Sequence, residues 1–483
     1  MLKPWREFRL FVICALISLG TNYPPAVMNS SVNTAVAEFK RFIAESYSQR
    51  GIELSESAQT IIRGTILNVW YVAQFVGAMT LPDWLERFGR KREFLVAVSG
   101  MAAGSALQLL AVLSSLPELF LFGRFLAGLC SPLCDVAQIM FLQECTPTDE
   151  RGTYSFLAGT GYALLSAVGM VLGMRSVLGE SFLTLIAVQL FPVLLSIPLA
   201  LVLPETPKFL MIERNDRKAA MKSLVFFQGE KDDNEAILDH FLLEAEKKAD
   251  APEQPHMVHS ATTRELFTTP YLRFTMILAC VEFVFMLPFF PILQSSTFFF
   301  EQTGIELNIA EMSTTILFIA HFLAGIVGFL LIDRFPRRTL ILGAGSLSTV
   351  ALSGYVVFAA DFELFDWFKY ASLGFIGLYV VIYGMVLGPL SLFISSELAT
   401  QRYRSRVFSF CFGFTNVLIT LTNWISLLAF QKVGAIAFVP LFIVPYAGAV
   451  IFLSKYLPET RNKEVYEVVD AIKHMVAHRS AKK

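Results

Sequence analysis

Glu86-Arg-Phe-Gly-Arg-Lys91 is a dense charged stretch inside a mostly apolar chain, and it returns 247 residues later as Asp333-Arg-Phe-Pro-Arg-Arg338. Two further pairs recur at nearly the same separation. Glu144 with Arg151 returns as Glu397 with Arg404, and Pro204-Glu-Thr-Pro207 returns as Pro458-Glu-Thr-Arg461. Three matches in one order mark two copies of a unit of about 250 residues, and a repeat of this kind governs the reading of the whole fold.

The composition says where such a repeat can live. Of the 483 residues 55% are hydrophobic and only 16% charged, with mean hydropathy +0.57. Soluble domains carry about 25% charged residues. A net charge of −1 provides no broad cationic field for nucleic acid. The six cysteines fall in or beside apolar stretches. Cys130 and Cys134 share a helix face, but no histidine or further cysteine flanks them, so they read as small buried hydrophobes. No metal and no cofactor is expected.

Apolar runs of about 20 residues read as spanning helices. They fall at 9–28, 64–82, 94–113, 117–141, 154–174, 182–203, 272–297, 311–332, 339–360, 368–394, 407–430 and 435–456. The expected fold is an all-α membrane protein of twelve transmembrane helices in two six-helix pseudo-repeats. Residues 1–203 form the first bundle, 204–270 a cytosolic linker with short surface helices, 271–456 the second bundle and 457–483 a cytosolic tail. The first run follows Lys3, Arg6 and Arg9 but is too long for a signal peptide, and the repeat needs it as an uncleaved helix. Lys and Arg concentrate on the side that holds both termini, which places the termini in the cytosol. On the other side the one long loop is 30–62. Asn29-Ser30-Ser31 is a glycosylation sequon against the end of helix 1.

Cations at the cytosolic ends of helices meet the negative pole of the preceding helix and can pair with nearby carboxylates. The bases are Arg87, Arg90, Lys91 and Arg151 in the first unit, and Arg334, Arg337, Arg338 and Arg404 in the second. The acids are Glu144 and Glu205, then Asp333, Glu397 and Glu459. Because acids recur together with bases, these residues read as a cytosolic gate that holds one arrangement of the bundle and releases it in another.

At this point a family resemblance can be stated. Arg87-Phe-Gly-Arg-Lys-Arg92, Gly123-Arg-Phe125, Glu144 to Arg151-Gly152, Pro204-Glu-Thr-Pro-Lys-Phe209, Asp333 to Arg338, Glu397 to Arg404 and Pro458-Glu-Thr460 span nearly the whole chain. As a set they resemble the sugar porters of the major facilitator superfamily, above all the animal facilitative glucose transporters. The resemblance implies two halves that rock about a central site. It also implies contact positions, and most of these have changed. The helix 5 glutamine falls on Gly159, the paired glutamines of helix 7 on Val284 and Phe285, and its asparagine on Phe290. The helix 8 asparagine falls on His321. In helix 10 a glutamate falls on Gly384 and a tryptophan on Leu392, while Gly388-Pro389 is kept. In helix 11 an asparagine is kept as Asn416.

Ionisable groups inside the membrane are functional candidates by default. Glu282, Asp135 and His321 are those here, with Asp135 able to pair with Arg124 or Gln138 instead. His321 reads equally as a ligand contact and as a satisfied core histidine. The proton-coupled relatives carry an aspartate where this chain has Asn22, which cannot exchange a proton. Pro24 and Pro25 are expected to break helix 1. Gln294 and the three hydroxyl residues after it read as an outer gate. The substrate-binding set is thus His321, Asn416, Asn22, Gln294, Glu282 and Phe290. The expected function is facilitated diffusion of a small polar, sugar-like solute by alternating access, through a plasma-membrane protein for which a monomer suffices. Its partners are the solute and the lipid bilayer, with no nucleic acid. Proton-linked or charged-solute transport stands as an alternative, and so does a transporter-like sensor with little flux. No phosphate-cradling glycine loop and no nucleophile with its base is present, so no enzyme is expected.

Overall fold

The computed structural model describes residues 2–80, 88–147, 151–230, 233–249, 263–332, 334–399, 401–461, 463 and 465–480. Regular structure among them is helical throughout. The first half comprises α1 (Leu2–Thr34), α2 (Val36–Ser48), α3 (Glu56–Thr80), α4 (Arg90–Leu113), α5 (Pro117–Cys145), α6 (Arg151–Gly173) and α7 (Phe182–Val202). Four short helices follow: α8 (Pro207–Ile212), α9 (Arg217–Gln228), α10 (Asn234–Ala249) and α11 (Thr263–Thr268). The second half comprises α12 (Pro270–Phe283), α13 (Phe289–Gln302), α14 (Leu307–Ile332), α15 (Arg337–Ala360), α16 (Asp366–Ile382), α17 (Gly388–Glu397), α18 (Gln401–Val433) and α19 (Val444–Tyr456), with α20 (Val465–Ser480) after it. Among the described residues ten helices are long and apolar enough to cross a membrane. With α3 and α6 they make twelve spans, six to each half; α12 with α13, and α16 with α17, each form one span.

The repeat extends to packing. In α3 a Cβ on Gly77 would lie 2.1 Å from the Leu129 carbonyl of α5, and in α14 a Cβ on Gly328 would lie 2.0 Å from the Met385 carbonyl. Both halves therefore bring their second and fourth spans together at a glycine, as membrane helices do when dispersion must replace a hydrophobic drive.

Several expectations about helix ends need correction. Helix 1 is not broken: α1 runs unbroken through Pro24 and Pro25 to Thr34. The expected 30–62 loop is mostly helix, because α1 fills its start, α2 its middle and α3 its end. The sequon lies inside α1. Asn29 is 2% exposed, donates to the Pro25 carbonyl (2.9 Å) and accepts from Arg124 Nη2 (2.6 Å). A glycan has no room there.

The breaks fall in the second half. Its first span passes through a 3-10 turn at Val284–Met286, and Ser295 inside α13 has non-helical dihedrals (φ −147°, ψ 18°). Its fourth span passes through a π turn at Tyr383–Leu387 before Pro389. A helix interrupted in this way leaves carbonyls and amides for other partners.

The helices α8 to α10 dock on the first half, whereas α11 packs on the second, where Tyr403 donates to Glu265 (2.8 Å). Gln228 donates to the Cys145 carbonyl (3.3 Å) and Arg9 to the Val225 carbonyl (3.3 Å). Arg217 of α9 clasps α10 through Asp239 (2.6 Å) and Glu235.

Candidate functional site

On the face that holds the termini, the repeated charges form a clasp that occurs once per half. Glu205 accepts from the Lys91 amide at 3.0 Å, capping α4, and Glu459 accepts from the Arg337 (3.0 Å) and Arg338 (3.1 Å) amides, capping α15. A carboxylate suits this place because a helix N-terminus presents unpaired amides and positive charge. The basic side chains then reach the last span of their own half. Lys91 Nζ donates to the Leu201 carbonyl (2.7 Å), and Arg338 Nη2 donates to the Ser454 carbonyl (2.5 Å). Gly89 is needed at the first clasp: its φ is +103° and a Cβ would lie 2.2 Å from Glu205 Oε2. Pro336 holds the equivalent place in the second.

Arg90 Nε pairs with Glu144 at 3.2 Å, and Glu144 also accepts from Thr206 Oγ1 at 2.5 Å. The Arg334 carbonyl accepts from Arg461 (2.7 Å). Each of these contacts stays inside one half. Arg87 and Asp333 lie outside the described residues. Arg151, Glu397 and Arg404 lie on α6, α17 and α18, and their side chains are outside the description. The clasp ties the start of α4 to the end of α7, and the start of α15 to the end of α19. Glu205→Ala strips the Lys91 and Thr206 amides of their acceptor, a loss of about 1–3 kcal/mol per buried group. The expected result is a melting temperature several degrees lower in detergent, with Glu459→Ala behaving alike. An unchanged melting temperature in both variants would refute the clasp.

The opposite face, called the far face below, is where the halves meet. Asn33 of α1 donates to the Leu293 carbonyl (2.9 Å), the Ile292 carbonyl (3.3 Å) and Ser296 Oγ (2.9 Å), and accepts from the Thr297 amide (3.2 Å). Three of these partners are backbone groups beside the break at Ser295. Thr60 receives a bond from Gln431 (3.0 Å), and Arg175 pairs with Glu311 (3.6 Å). Arg63 Nη2 reaches the Gln294 carbonyl (3.4 Å). Gln294, Ser295, Ser296 and Thr297 thus sit in the seam between the halves, all nearly fully buried.

Toward the middle of the molecule the walls are aromatic. Phe290 meets Tyr71 of the first half edge-on at 5.4 Å. Phe289 stacks on Tyr383 at 4.0 Å, and His321 lies against both, 5.0 Å from Phe289 and 6.0 Å from Tyr383. His321 is 9% exposed. A Cβ on Gly384 would lie 2.5 Å from its Nδ1 and 2.7 Å from its carbonyl. The two changes are therefore coupled: the imidazole occupies room that only glycine leaves. Gly159 is exposed and a Cβ there would meet open space. It shares its helix face with Ser166 and Met170, and Met170 packs against Asn33, so that space belongs to the interior.

The remaining expected residues are not brought to this wall. Asn416 bonds the Phe412 carbonyl of its own helix (3.1 Å). Asn22 donates to Ser18 (3.2 Å), which also accepts from Gln138 (3.0 Å), inside the first half. Glu282 is fully buried near Cys411 of α18. Phe285 packs on Tyr446 and its carbonyl accepts that hydroxyl (2.7 Å), facing away from the other half. Arg124 and Gln138 bond to Asn29 and Ser18 rather than to Asp135. Leu392 has no described side chain. The residue missed was Asn423. It lies two turns beyond Asn416 on the same face of α18, beside the Tyr71 hydroxyl, and donates to Gln294 Oε1 (3.3 Å).

Comparison with known proteins agrees with this architecture. The family model for sugar (and other) transporters matches residues 10–471. Facilitated glucose transporter member 4 of Mus musculus is 29% identical over 458 residues, covering 90% of this chain and 86% of the relative. Member 11 of Homo sapiens is 23% identical over 472 residues, covering 95% and 92%. The inward-open structure of the xylose transporter XylE from E. coli superposes with a TM-score of 0.74 at 17% identity, covering 95% of this chain and 98% of that one. With the motifs, the twelve spans and the match over nearly its full length, the chain belongs to the sugar (and other) transporter family.

Proposed function

We propose that the chain carries a small polar organic solute, sugar-like but poor in hydroxyls, across the plasma membrane by alternating access, with both termini in the cytosol. The two bundles, 1–203 and 271–456, move as units, and 204–270 tethers them. The observation that carries this reading is the uneven distribution of contacts. The halves are joined at the far face through side chains set against a broken helix, while the clasp bonds described above on the other face each lie within one half. Such a molecule rocks about its middle without unfolding either bundle. Sugar-like cargo is supported by the family and by relatives whose names specify glucose and xylose. The aromatic wall of Phe289, Phe290, Tyr71 and Tyr383 argues against glucose itself. Each hexose hydroxyl left unpaired there costs about 1–3 kcal/mol, and two or three such losses are worth about two decades of affinity or more. Asn22, unable to carry a proton, favours passive transport.

The test is uptake of radiolabelled hexoses, polyols, urate and dehydroascorbate into proteoliposomes, with and without a protonophore. The expected result is weak glucose uptake, stronger uptake of a flatter or less hydroxylated solute, and no accumulation against a gradient. Glucose uptake that saturates at the lowest concentration in the panel would overturn the pocket reading. Protonophore-sensitive accumulation would overturn the passive one.

A further inference from the structure

Between the aromatic wall and the far face lies a group of polar side chains whose unpaired atoms the reading above does not use. Arg63 of α3 is fully buried, and its Nε and Nη1 have no hydrogen-bond partner among the described residues. Its one bond, to the Gln294 carbonyl, is long at 3.4 Å. The same holds for both amide atoms of Asn68, for Gln294 Nε2 and for Asn423 Oδ1, all on residues at most 4% exposed. Arg63, Gln294 and Asn423 adjoin. Asn423 bonds Gln294, Gln294 receives Arg63, and Asn423 lies beside Tyr71. Asn68 is one turn from Gly64, whose face packs on Leu427 and Trp424 of α18, and one turn from Tyr71. The first half supplies Arg63, Asn68 and Tyr71, and the second supplies Gln294 and Asn423.

Burying a polar group without a partner is costly, and burying a guanidinium so is costlier. Native proteins rarely leave several such groups together unless something else binds them. Glu301 and Lys40 are the charged neighbours of Arg63, and no described carboxylate forms an ion pair with it. Burial first, and the Arg63 charge second, hold the Lys40 ammonium below its ordinary pKa, while Glu301 and Glu56 oppose the shift. Guanidinium recognises a planar carboxylate through two parallel bonds. The amides and the phenol around it add donors and acceptors for neighbouring hydroxyls.

We infer that Arg63, Asn68, Tyr71, Gln294 and Asn423 form a subsite, on the far-face side of the aromatic wall, for the carboxylate end of an anionic solute of sugar-acid type. The inference rests on the transport reading and names the solute's charge class. Because the subsite is split between the halves, it is complete only when the far face is sealed. A bound carboxylate therefore favours that seal, and opening the far face hands the solute back.

The test is scintillation-proximity binding of radiolabelled D-glucuronate, with D-glucose in parallel, to the full chain in nanodiscs. Wild-type protein is expected to bind glucuronate saturably and more tightly than glucose. Arg63→Gln should weaken glucuronate about tenfold or more, the scale of one charge-assisted bond, with glucose little changed. Arg63→Lys keeps the charge and should lose less. Absence of saturable glucuronate binding to the wild type overturns the inference, and so does equal binding by Arg63→Gln. Equal loss of both sugars in that variant would make this a neutral hydroxyl site and overturn the anionic class. If Arg63→Gln does not fold, Gln294→Ala and Asn423→Ala replace it, and unchanged glucuronate binding in both overturns the proposal. Failure of neutral sugars to be taken up, with glucuronate binding intact, counts against the transport reading alone.

Discussion

Replacing Asn33 by leucine is expected to open the far face. Asn33 is bonded across the seam on both sides of its amide: its two N–H hydrogens are shared among three oxygens and its own oxygen accepts the Thr297 amide. Leucine has the same number of side-chain heavy atoms, branched alike but bulkier, and makes none of these bonds. The Leu293 carbonyl and the Thr297 amide would then be buried without partners, at about 1–3 kcal/mol each. A penalty of about 2 kcal/mol on the sealed state alone shifts the equilibrium roughly thirtyfold toward the open one. Thr60→Cys reports this at a distance, since Thr60 is 1% exposed within the same seam. Labelling of that cysteine by an impermeant maleimide should accelerate tenfold or more in the Asn33→Leu background. A protein without Thr60→Cys controls for the six native thiols. Unchanged labelling would show that Asn33 does not hold the seal.

The second large effect is expected at Gly384. Its Cβ would meet His321 Nδ1 at 2.5 Å and the His321 carbonyl at 2.7 Å. Gly384→Ala must displace α14 or swing the imidazole into the Phe289–Tyr383 stack, a strain of about 1–3 kcal/mol. Uptake of the best solute should fall tenfold or more. His321→Ala alone should raise the apparent KM by loosening the stack. The double variant should recover part of the loss, because it relieves the ring contact and leaves the carbonyl contact. Additive losses in the double variant would show that the two positions are independent.

The architecture was legible because a membrane span and a repeated charge motif are both strong local signals. The matched Glu205 and Glu459 announced their shared role through spacing alone, although the capping of α4 and α15 needed coordinates to be seen. The wall was less legible, for definite reasons. Prolines normally mark a break, yet α1 absorbs two of them inside a packed bundle, and the real break at Ser295 has no glycine or proline to announce it. Phe285 and Phe290 are five residues apart, and Phe285, inside the 3-10 turn, meets Tyr446 while Phe290 meets Tyr71. Asn416 and Asn423 share a face, and only the depth of α18 decides which one meets the other half. Arg63 lies one residue outside the expected 64–82 span because a charge in sequence reads as the end of a membrane segment, whereas α3 carries it fully buried.

The π turn at Tyr383–Leu387 bears on how this protein tolerates changes in length. A π turn holds about one residue more than an α turn over a similar rise. Deleting one residue there would relax the turn to α geometry and leave α16 and α17 each packed as before. The same deletion in the middle of α15 would rotate everything beyond it by about 100° and turn its buried face outward. Chains gain and lose residues mostly in loops. Here a helix at the centre of the bundle holds a spare residue that can be lost without disturbing either end.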